Sequence, residues 1–329
     1  MKKNEWIESR IADLLPCPYY HMVFTLPHEF NKLMMSNKKA VYDLLFRSAS
    51  QTLLNYGQNE EFLGGTPGIT MVLHTWGQKL DYHVHVHCIV TGGGVDNNNN
   101  WLQPKRSNNK FLFPESGMRT MYKAIFLKGL GELSAAGDMN TGDKEVQQAI
   151  KKAGYKKWKV YAKAPFGGPE QVIKYLGRYT HKTAITHHRI LSVSQGKVKF
   201  KYKDYNDANK MKETELTEQE FLRRFELHIL PKRFVRIRHY GFLRNQGKNA
   251  RLQEIRESMN LEPAPLKVDI PASVKLLEKF GRDVMLCEKC GQGRYELVYT
   301  IRCGKLTYHR DTNSNDRAPP VKAEVESTR

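Results

Sequence analysis

The stretch of sequence that decides the fold is ITMVLHTWGQKLDYHVHVHCIVT, residues 69–91. Its two ends, 69–76 and 82–91, are rich in β-branched and aromatic residues, and a short polar segment separates them. This pattern is typical of a β-hairpin. Because side chains alternate between the two faces of a strand, the histidines at every second position of the second strand share one face. The hairpin therefore has one polar face that carries imidazoles and one face that belongs to a core.

Four histidines of this hairpin point to a metal site or to phosphate chemistry. His83, His85 and His87 lie roughly 6–7 Å apart along one face, which lets two of them converge on one ion. His74 projects on the same face whether it pairs with position 83, 85 or 87, because these registers have the same parity. A single histidine on a strand usually lies on the surface or in the core without binding a metal. Three on one face with a fourth on the partner strand predict a functional cluster.

A second candidate site is a predicted helix over residues 169–181. Tyr175 and Tyr179 are four residues apart, so they lie one turn apart on the same helix face. Two aromatic residues at this spacing are more often part of a core than of a site. The basic neighbours of the pair are Lys174, Arg178 and Lys182.

The composition favours a folded domain that binds a polyanion. The chain has 329 residues with 53 Lys+Arg against 34 Asp+Glu, a formal net charge of +19 and a pI of about 9.6. A hydrophobic share of 40% excludes a wholly disordered chain. The basic start and the absence of a long apolar run predict a cytoplasmic protein, associated with the nucleoid if it is bacterial. Five cysteines argue against a disulfide scaffold in a chain of this length.

Periodicity along the rest of the chain predicts an α+β fold with an antiparallel sheet, because strands and helices interleave irregularly around hairpins. Beyond the central hairpin and the tyrosine helix, the predicted helices are 36–58, 118–133, 221–227 and 249–260, and the predicted strands are 19–26, 158–164, 189–193, 197–202 and 234–239.

Two motifs give the chain a family resemblance. The strand motif His85-Val86-His87 and the helix motif YLGRYTH, residues 175–181, resemble the two-tyrosine HUH transposases of rolling-circle insertion sequences, of the insertion sequence 91 type. Three further blocks are similar to that family in the same order: 73–78, 87–94 and 230–241. The resemblance covers roughly residues 5–300.

The resemblance implies a ferredoxin-like antiparallel sheet, with the histidines on one face and helices behind the other. It also implies cleavage and rejoining of single-stranded DNA through 5′-phosphotyrosine intermediates. Tyr175 and Tyr179 would then be the nucleophiles, and His85 and His87 would bind Mg²⁺ or Mn²⁺. Hairpin geometry adds His74 as the third ligand.

The partner that this resemblance implies is single-stranded DNA at the transposon ends and at the target, without ATP and without a membrane. The residues expected to contact DNA are Lys174, Arg178, Lys182, Arg236 and Arg238. The expected organisation is the end of a helix or linker at 1–15, a catalytic domain at 16–245, a C-terminal helix and CxxC segment at 246–311 and a disordered tail at 312–329.

Cysteine spacing marks a departure from the family pattern. Members of the family usually carry a cysteine-rich zinc segment before the first strand, and this sequence begins at about its end. Cys287 and Cys290 have the spacing of a zinc knuckle, and Cys303 and His309 could complete four ligands. Structural zinc and free surface thiols both fit this pattern.

Two other functions fit parts of the sequence. HVHVHCI, residues 83–89, also looks like the motif of histidine-triad nucleotide hydrolases, in which a histidine attacks phosphate without metal. That interpretation leaves the tyrosine pair and the net charge unexplained. A truncated transposase remnant that binds DNA without completing transposition is the other alternative.

Overall fold

The chain folds into two compact units, Met1–Pro265 and Leu266–Arg329. The computed structural model describes residues 13–106, 112–163, 171, 184–205, 207–263, 274, 276–278, 281–295, 299–302 and 305–308. Within these ranges no helix is both long and apolar enough to cross a lipid bilayer.

The first unit contains most of the described helices and strands. They follow each other as β1 (Tyr19–Thr25), α1 (Asn31–Ser36), α2 (Lys38–Gln58), β2 (Thr66–Trp76), β3 (Tyr82–Val95), β4 (Trp101–Leu102), α3 (Glu115–Ala135), α4 (Asp143–Gly154), β5 (Lys159–Lys163), β6 (Ile190–Ser194), β7 (Lys197–Asp204), β8 (Lys210–Thr217), α5 (Glu218–Leu227), β9 (Ile237–Gly241) and α6 (Lys248–Ser258).

Four strands of the large sheet have the topology of a ferredoxin-like fold. They lie in the order β5-β1-β3-β2 and all pair antiparallel, with β9 added beyond β2. The connection from β1 to β2 contains α2, and the connection from β3 to β5 contains α3, which gives the β-α-β-β-α-β pattern. The α+β class and the ferredoxin-like sheet predicted from the sequence are therefore confirmed.

Helices pack against one face of this sheet and form the main core. The core face carries Phe24 of β1, Leu73 of β2 and Val86 of β3, all of them buried. These side chains belong to the same cluster as Leu45 of α2 and Phe126 of α3. Because alternate strand residues point to the opposite side, the hairpin histidines lie on the other face, which we call the histidine face.

A smaller sheet, in the order β6-β7-β8, packs against the turn of the central hairpin. Arg189, just before β6, donates hydrogen bonds to the carbonyl oxygens of Gln78 in the turn and Lys201 on β7. The turn and the small sheet also share a cluster whose buried members are Leu80, Ala184, Ile185, Val198 and Phe200. The hairpin is thus supported at its tip as well as along its strands.

The last helix of the first unit also packs near the large sheet. Leu252 and Ile255 of α6 share a buried cluster with Leu15, Tyr19 and Ile89. The sequence analysis grouped this helix with the C-terminal segment 246–311, but its side chains pack with residues of β1 and β3.

Helix α4 and strand β8 are among the elements that the sequence pattern did not predict, because their apolar signal is weak. Helix α4 buries only Val146 and Ala153. Strand β8 has an outward face built from charges, and Glu213 and Glu215 form ion pairs with lysines of β7 at 2.7 and 2.8 Å. Cross-strand ion pairs of this kind stabilise a sheet without hydrophobic alternation. The strand predicted from residue 234 begins instead at Ile237.

The second unit contains one described hairpin, formed by the antiparallel strands β10 (Tyr299–Arg302) and β11 (Lys305–Tyr308). The tail predicted to be disordered, 312–329, lies outside the described residues.

Trp158 offers a test of the main core. Its ring lies 5.1–5.8 Å from those of Phe30, Tyr122 and Phe126, and its Nε1 donates to a backbone carbonyl at 3.0 Å. We expect Trp158→Ala to lower the free energy of unfolding by about 3–5 kcal/mol, because it leaves a large cavity. Urea denaturation followed by circular dichroism measures the loss.

The matched control for this change is Tyr155→Ala, since Tyr155 is 83% exposed. We expect the control to change the free energy of unfolding by no more than about 0.5 kcal/mol. If Trp158→Ala lowers the free energy of unfolding as little as the control does, the ring does not contribute to core packing.

Candidate metal centre on the histidine face

The register of the central hairpin brings the predicted ligands together. His74 of β2 lies directly opposite His85 of β3, one of the three registers allowed by the sequence pattern. A bulge follows between His74 and Trp76, and the turn closes with a hydrogen bond from the Gly77 amide to the Asp81 carbonyl oxygen at 2.9 Å. The placement of His74 on the same face as His85 and His87 is thus observed.

The three imidazoles form a compact cluster. One ring nitrogen from each of His74, His85 and His87 lies within 4.8 Å of the other two. The Nε2 atoms of His85 and His87 are 3.2 Å apart, and the ring centroids of His74 and His87 are 4.4 Å apart. His74 and His85 are buried, and His87 is half-buried. Nitrogen atoms at these distances can be ligands of one ion.

Neighbouring groups select the tautomers that a metal needs. Nδ1 of His85 lies 2.9 Å from the His83 carbonyl oxygen, and since a carbonyl only accepts, this nitrogen carries the proton. Nε2 of His85 therefore presents a lone pair. Nδ1 of His87 lies 2.8 Å from Nε2 of His21. When Nδ1 of His87 donates there, its Nε2 presents a lone pair as well.

A divalent cation fits this arrangement. When neither Nε2 carries a proton, the two lone pairs 3.2 Å apart repel each other unless a cation lies between them. Ligands about 2.1 Å from one ion are roughly 3.0 Å apart at an octahedral edge and roughly 3.4 Å apart at a tetrahedral edge, so the observed distance falls between the two. Three imidazoles also leave coordination positions open for substrate oxygens.

Burial keeps these histidines neutral. Desolvation, with smaller repulsion from neighbouring imidazoles, lowers the pKa of His85 to about 3 and that of His87 well below its usual value. Desolvation and then the charge of Lys163 lower the pKa of His21 to about 4. Neutral imidazole is the form that binds metal, so the ligands are ready at physiological pH.

His21 is the member of the cluster that the sequence analysis missed. It lies on β1 opposite Ile89 of β3, it is 7% exposed, and its ring stacks on that of His87 at 5.1 Å between centroids. Partners of this kind orient metal ligands. Alternation along 19–26 could have marked its face, but the pairing of β1 with β3 is not local in sequence.

Arg236 contacts Trp76, and Trp76 in turn contacts His74 of the cluster. The Trp76 ring stacks on His74 at 4.8 Å, and the Arg236 guanidinium lies 5.0 Å from the centroid of the same indole. Burial lowers the pKa of Arg236 to about 10, which leaves it charged at neutral pH. Its role in DNA binding stays a prediction.

Arg238 lies on the helix side of the sheet. It forms an ion pair with Asp43 of α2 and packs over Phe46 and Phe234, with its guanidinium 4.2 and 5.1 Å from the ring centroids. The structure does not bring it together with the histidines. These contacts suit a residue that fixes β9 to α2, and its contact with DNA stays a prediction.

The tyrosine site lies outside the described residues, so its role stays a prediction. This applies to both predicted nucleophiles and to the basic residues beside them: Tyr175, Tyr179, Lys174, Arg178 and Lys182.

The CxxC segment forms a tight turn in the second unit. The Cys287 amide donates to the Gly293 carbonyl oxygen at 2.7 Å, and the Gly293 amide donates to Sγ of Cys290 at 3.3 Å. Hydrogen bonds, led by those from the backbone of Cys290 and Lys289, lower the pKa of Cys287 to about 7. A thiol with a lowered pKa is a better metal ligand. Zinc binding stays a prediction, and Cys303 and His309 lie outside the described residues.

Metal affinity tests the cluster directly. We expect His85→Gln to abolish measurable Mn²⁺ binding, because it removes a ligand. His21→Gln should weaken binding by roughly 10- to 100-fold, as loss of an outer partner does. Isothermal titration calorimetry measures both.

The control for the metal titration is His239→Gln. Its Nδ1 lies 2.9 Å from Oγ1 of Thr70, opposite it on β2, and it is not among the clustered nitrogens. We expect parental affinity from this variant. Parental affinity from His85→Gln would exclude the cluster as the metal site.

The lowered pKa values predict how the metal-free protein responds to acid. The pKa of His21 is about 4 and that of His85 about 3 when folded, against about 6.5 when unfolded. Below about pH 6.5 the unfolded chain binds more protons, so stability should fall from about pH 7 to about pH 4, by up to about 1.4 kcal/mol per pH unit for each histidine. Above about pH 7 these histidines are neutral in both the folded and the unfolded chain, so they do not make the free energy of unfolding depend on pH.

Urea denaturation in EDTA across this range measures the effect, with the double variant His21→Gln, His85→Gln as the comparison. We expect a flatter dependence on pH from the double variant. Equal slopes for both proteins would mean that the imidazoles are not held neutral by the fold.

Known proteins resemble the chain over most of its length. Residues 68–251, more than half of the chain, match the family described as "Putative transposase" (Y2_Tnp). The "Putative transposase y4qJ" of Sinorhizobium fredii is 36% identical over 309 residues, which cover 89% of this chain and 76% of that protein. The "Transposase for insertion sequence element IS801" of Pseudomonas savastanoi pv. phaseolicola is 28% identical over 310 residues, which cover 92% and 72%.

Among solved structures, the metal-bound conjugative relaxase TrwC in complex with OriT DNA aligns with 49% of this chain and 69% of its own, at 11% identity and a TM-score of 0.27. That alignment is too weak to bear on function. The family match and the 36% identity to the Sinorhizobium protein are sufficient on their own. The chain belongs to the rolling-circle transposase family of the IS801 type, as its two motifs suggested.

Proposed function

We propose that the chain cleaves and rejoins single-stranded DNA through 5′-phosphotyrosine intermediates, as the chemical step of rolling-circle transposition. The observation that carries the proposal is the cluster of His74, His85 and His87, whose ring nitrogens converge within 4.8 Å on the histidine face. Membership of a transposase family supplies the substrate class.

The cluster supplies three neutral nitrogen ligands. A divalent cation held there, Mg²⁺ or Mn²⁺, would polarise the scissile phosphate and offset the charge of the pentavalent transition state. His85 is fixed by the His83 carbonyl oxygen, and His87 is held by His21, so the ligands need little rearrangement. Preorganised ligands avoid a reorganisation cost during the reaction.

Tyr175 and Tyr179 would supply the nucleophiles. The phenol oxygen of one tyrosine forms a bond to phosphorus and loses its proton, while the bond from phosphorus to the 3′ oxygen breaks and that oxygen gains a proton. One phosphate ester replaces another, so the bond energy needed for rejoining is kept and ATP is not required. Two tyrosines would let one chain hold two cut ends, which strand exchange needs.

The positive charge of the chain supports binding of single strands. A net charge of +19 on a folded chain favours a polyanionic partner, and phosphate contacts from Lys and Arg dominate such affinities. The proposed ligands are the single-stranded ends of the transposon and the target strand.

The alternatives differ in how they use the histidines. In a histidine-triad hydrolase, one imidazole attacks phosphate directly. The Nε2 atoms of His85 and His87 face each other at 3.2 Å, an arrangement that suits ligands of a shared ion. Membership of a transposase family also argues against a nucleotide hydrolase. A remnant that binds DNA without completing transposition would keep the fold and differ only in activity.

Covalent adduct formation tests the proposal. Full chain incubated with labelled single-stranded DNA from the element's ends and Mn²⁺ should give a protein–DNA adduct on a denaturing gel. The double variant Tyr175→Phe, Tyr179→Phe lacks both attacking oxygens, so we expect no adduct and a melting temperature near the parent's. Each single variant should keep part of the cleavage but fail in coupled exchange.

The control here is Tyr155→Phe, which removes the hydroxyl of an exposed tyrosine outside both motifs. We expect parental adduct yield from it. Normal yield from the double variant, or full activity in EDTA, would refute the mechanism. Binding without any adduct from the parent chain would favour the remnant.

A further inference from the structure

We propose that the edge strand β5 carries a binding track for single-stranded DNA, in which Tyr161 stacks on one base while Lys159 and Lys163 bind the phosphates beside it. The inference rests on the proposed function, because it takes single-stranded DNA as the ligand. It assigns part of that ligand to a strand outside the histidine and tyrosine motifs.

The pairing of the strands places Tyr161 on the histidine face. Tyr161 lies opposite Val23 of β1, and Val23 lies opposite His87 of β3. Directly opposed residues of antiparallel strands share a face, so the Tyr161 ring projects on the same side of the sheet as His87. Two strand spacings separate them, roughly 9–10 Å. Lys159 and Lys163, two residues away on either side, project there too.

The two faces of β5 differ in solvent exposure. Tyr161 is 53% exposed and both lysines are exposed, whereas Val160 and Ala162 are buried in the main core. An amphipathic ring between two cations is the combination that single-strand binding proteins use. The ring stacks on a base of any sequence, and the cations follow the backbone.

The residues opposite the two lysines on β1 carry no negative charge. Lys159 lies opposite Thr25, and Lys163 lies opposite His21, so neither cross-strand neighbour on β1 is an acid. On its other side β5 is the edge of the sheet, and among the described strands none pairs there. A DNA strand could therefore approach the edge of the sheet and continue over β1 towards the metal ligands.

A simpler explanation covers only the lysines. Charged side chains on an edge strand discourage pairing between copies of a chain. That role gives no function to an exposed aromatic ring between them. It also predicts that substitutions change self-association and leave DNA affinity unchanged, so the two explanations can be separated by experiment.

The experiment measures anisotropy of a labelled oligodeoxythymidine of about 15 nucleotides bound to the full chain in EDTA. Tyr161→Phe keeps the ring and should bind within about 2-fold of the parent. Tyr161→Ala and Tyr161→Thr remove the ring and should bind roughly 5- to 100-fold more weakly. Thr preserves β propensity, so it guards against a loss that comes from the strand itself.

Salt dependence gives a second readout. Lys159→Gln and Lys163→Gln should each reduce the log-log salt slope by about 0.7, because each removes one phosphate contact. The Tyr161 variants should keep the parental slope, since stacking releases no counterions. The matched control is Tyr155→Ala, an 83% exposed tyrosine outside the sheet, which should bind as the parent does.

Each outcome has one meaning. Parental affinity from a folded Tyr161→Thr variant, or an equal loss from Tyr155→Ala, overturns the track while leaving the proposed function intact. The same holds if the lysine variants alter only self-association. A parent chain that neither binds the probe nor forms an adduct with DNA from the element's ends refutes the proposed function, and the track with it.

Discussion

The pairing of His74 with His85 is the constraint on which the rest of the site depends. A shift of one residue in that register would turn one of the two strands over and send its imidazoles into the core. Contacts on both sides of this pair, along the strands and in the turn, oppose such a shift. Buried Leu73 and Val86 fix the core face, and Leu80 in the turn packs against the small sheet. Secondary structure, packing and ligand geometry are therefore specified by the same contacts.

The histidine cluster is costly to the fold and useful to the site for the same reason. Burial removes water from the imidazoles, which disfavours their protonated forms and lowers their pKa values. The same burial leaves the nitrogen lone pairs available and mutually repulsive. Binding of a cation relieves that repulsion, so ligand binding and folding stability are thermodynamically linked. Among the residues that the structure describes, the cluster consists of imidazoles, which attract a metal through their nitrogen lone pairs.

Local pattern was enough to predict the hairpin, its two faces and the common face of His74, His85 and His87, because alternation and parity are properties of one continuous stretch. His21 was out of reach, since its contact with His87 depends on β1 lying next to β3, which is a property of the whole sheet. Strand β8 was missed for another reason: its exposed face carries Glu213 and Glu215 in ion pairs with lysines of β7, so its sequence shows little apolar alternation. The environment of Arg238 was also out of reach, because its contacts with Asp43 of α2 and two aromatic rings depend on how the helix packs against the sheet.

The connection between β5 and the small sheet has a consequence for chemistry. The chain leaves the large sheet at Lys163, opposite His21, and the described chain resumes at Ala184 and Ile185, which pack beside Leu80 of the hairpin turn. Both ends of the intervening stretch, which contains Tyr175 and Tyr179, are therefore anchored to the sheet that holds the metal ligands. Under the proposed function, a connection to one surface at both ends would give the two tyrosines an effective concentration on the order of millimolar there. The encounter between phenol and bound phosphate would then not depend on diffusion of a second protein group.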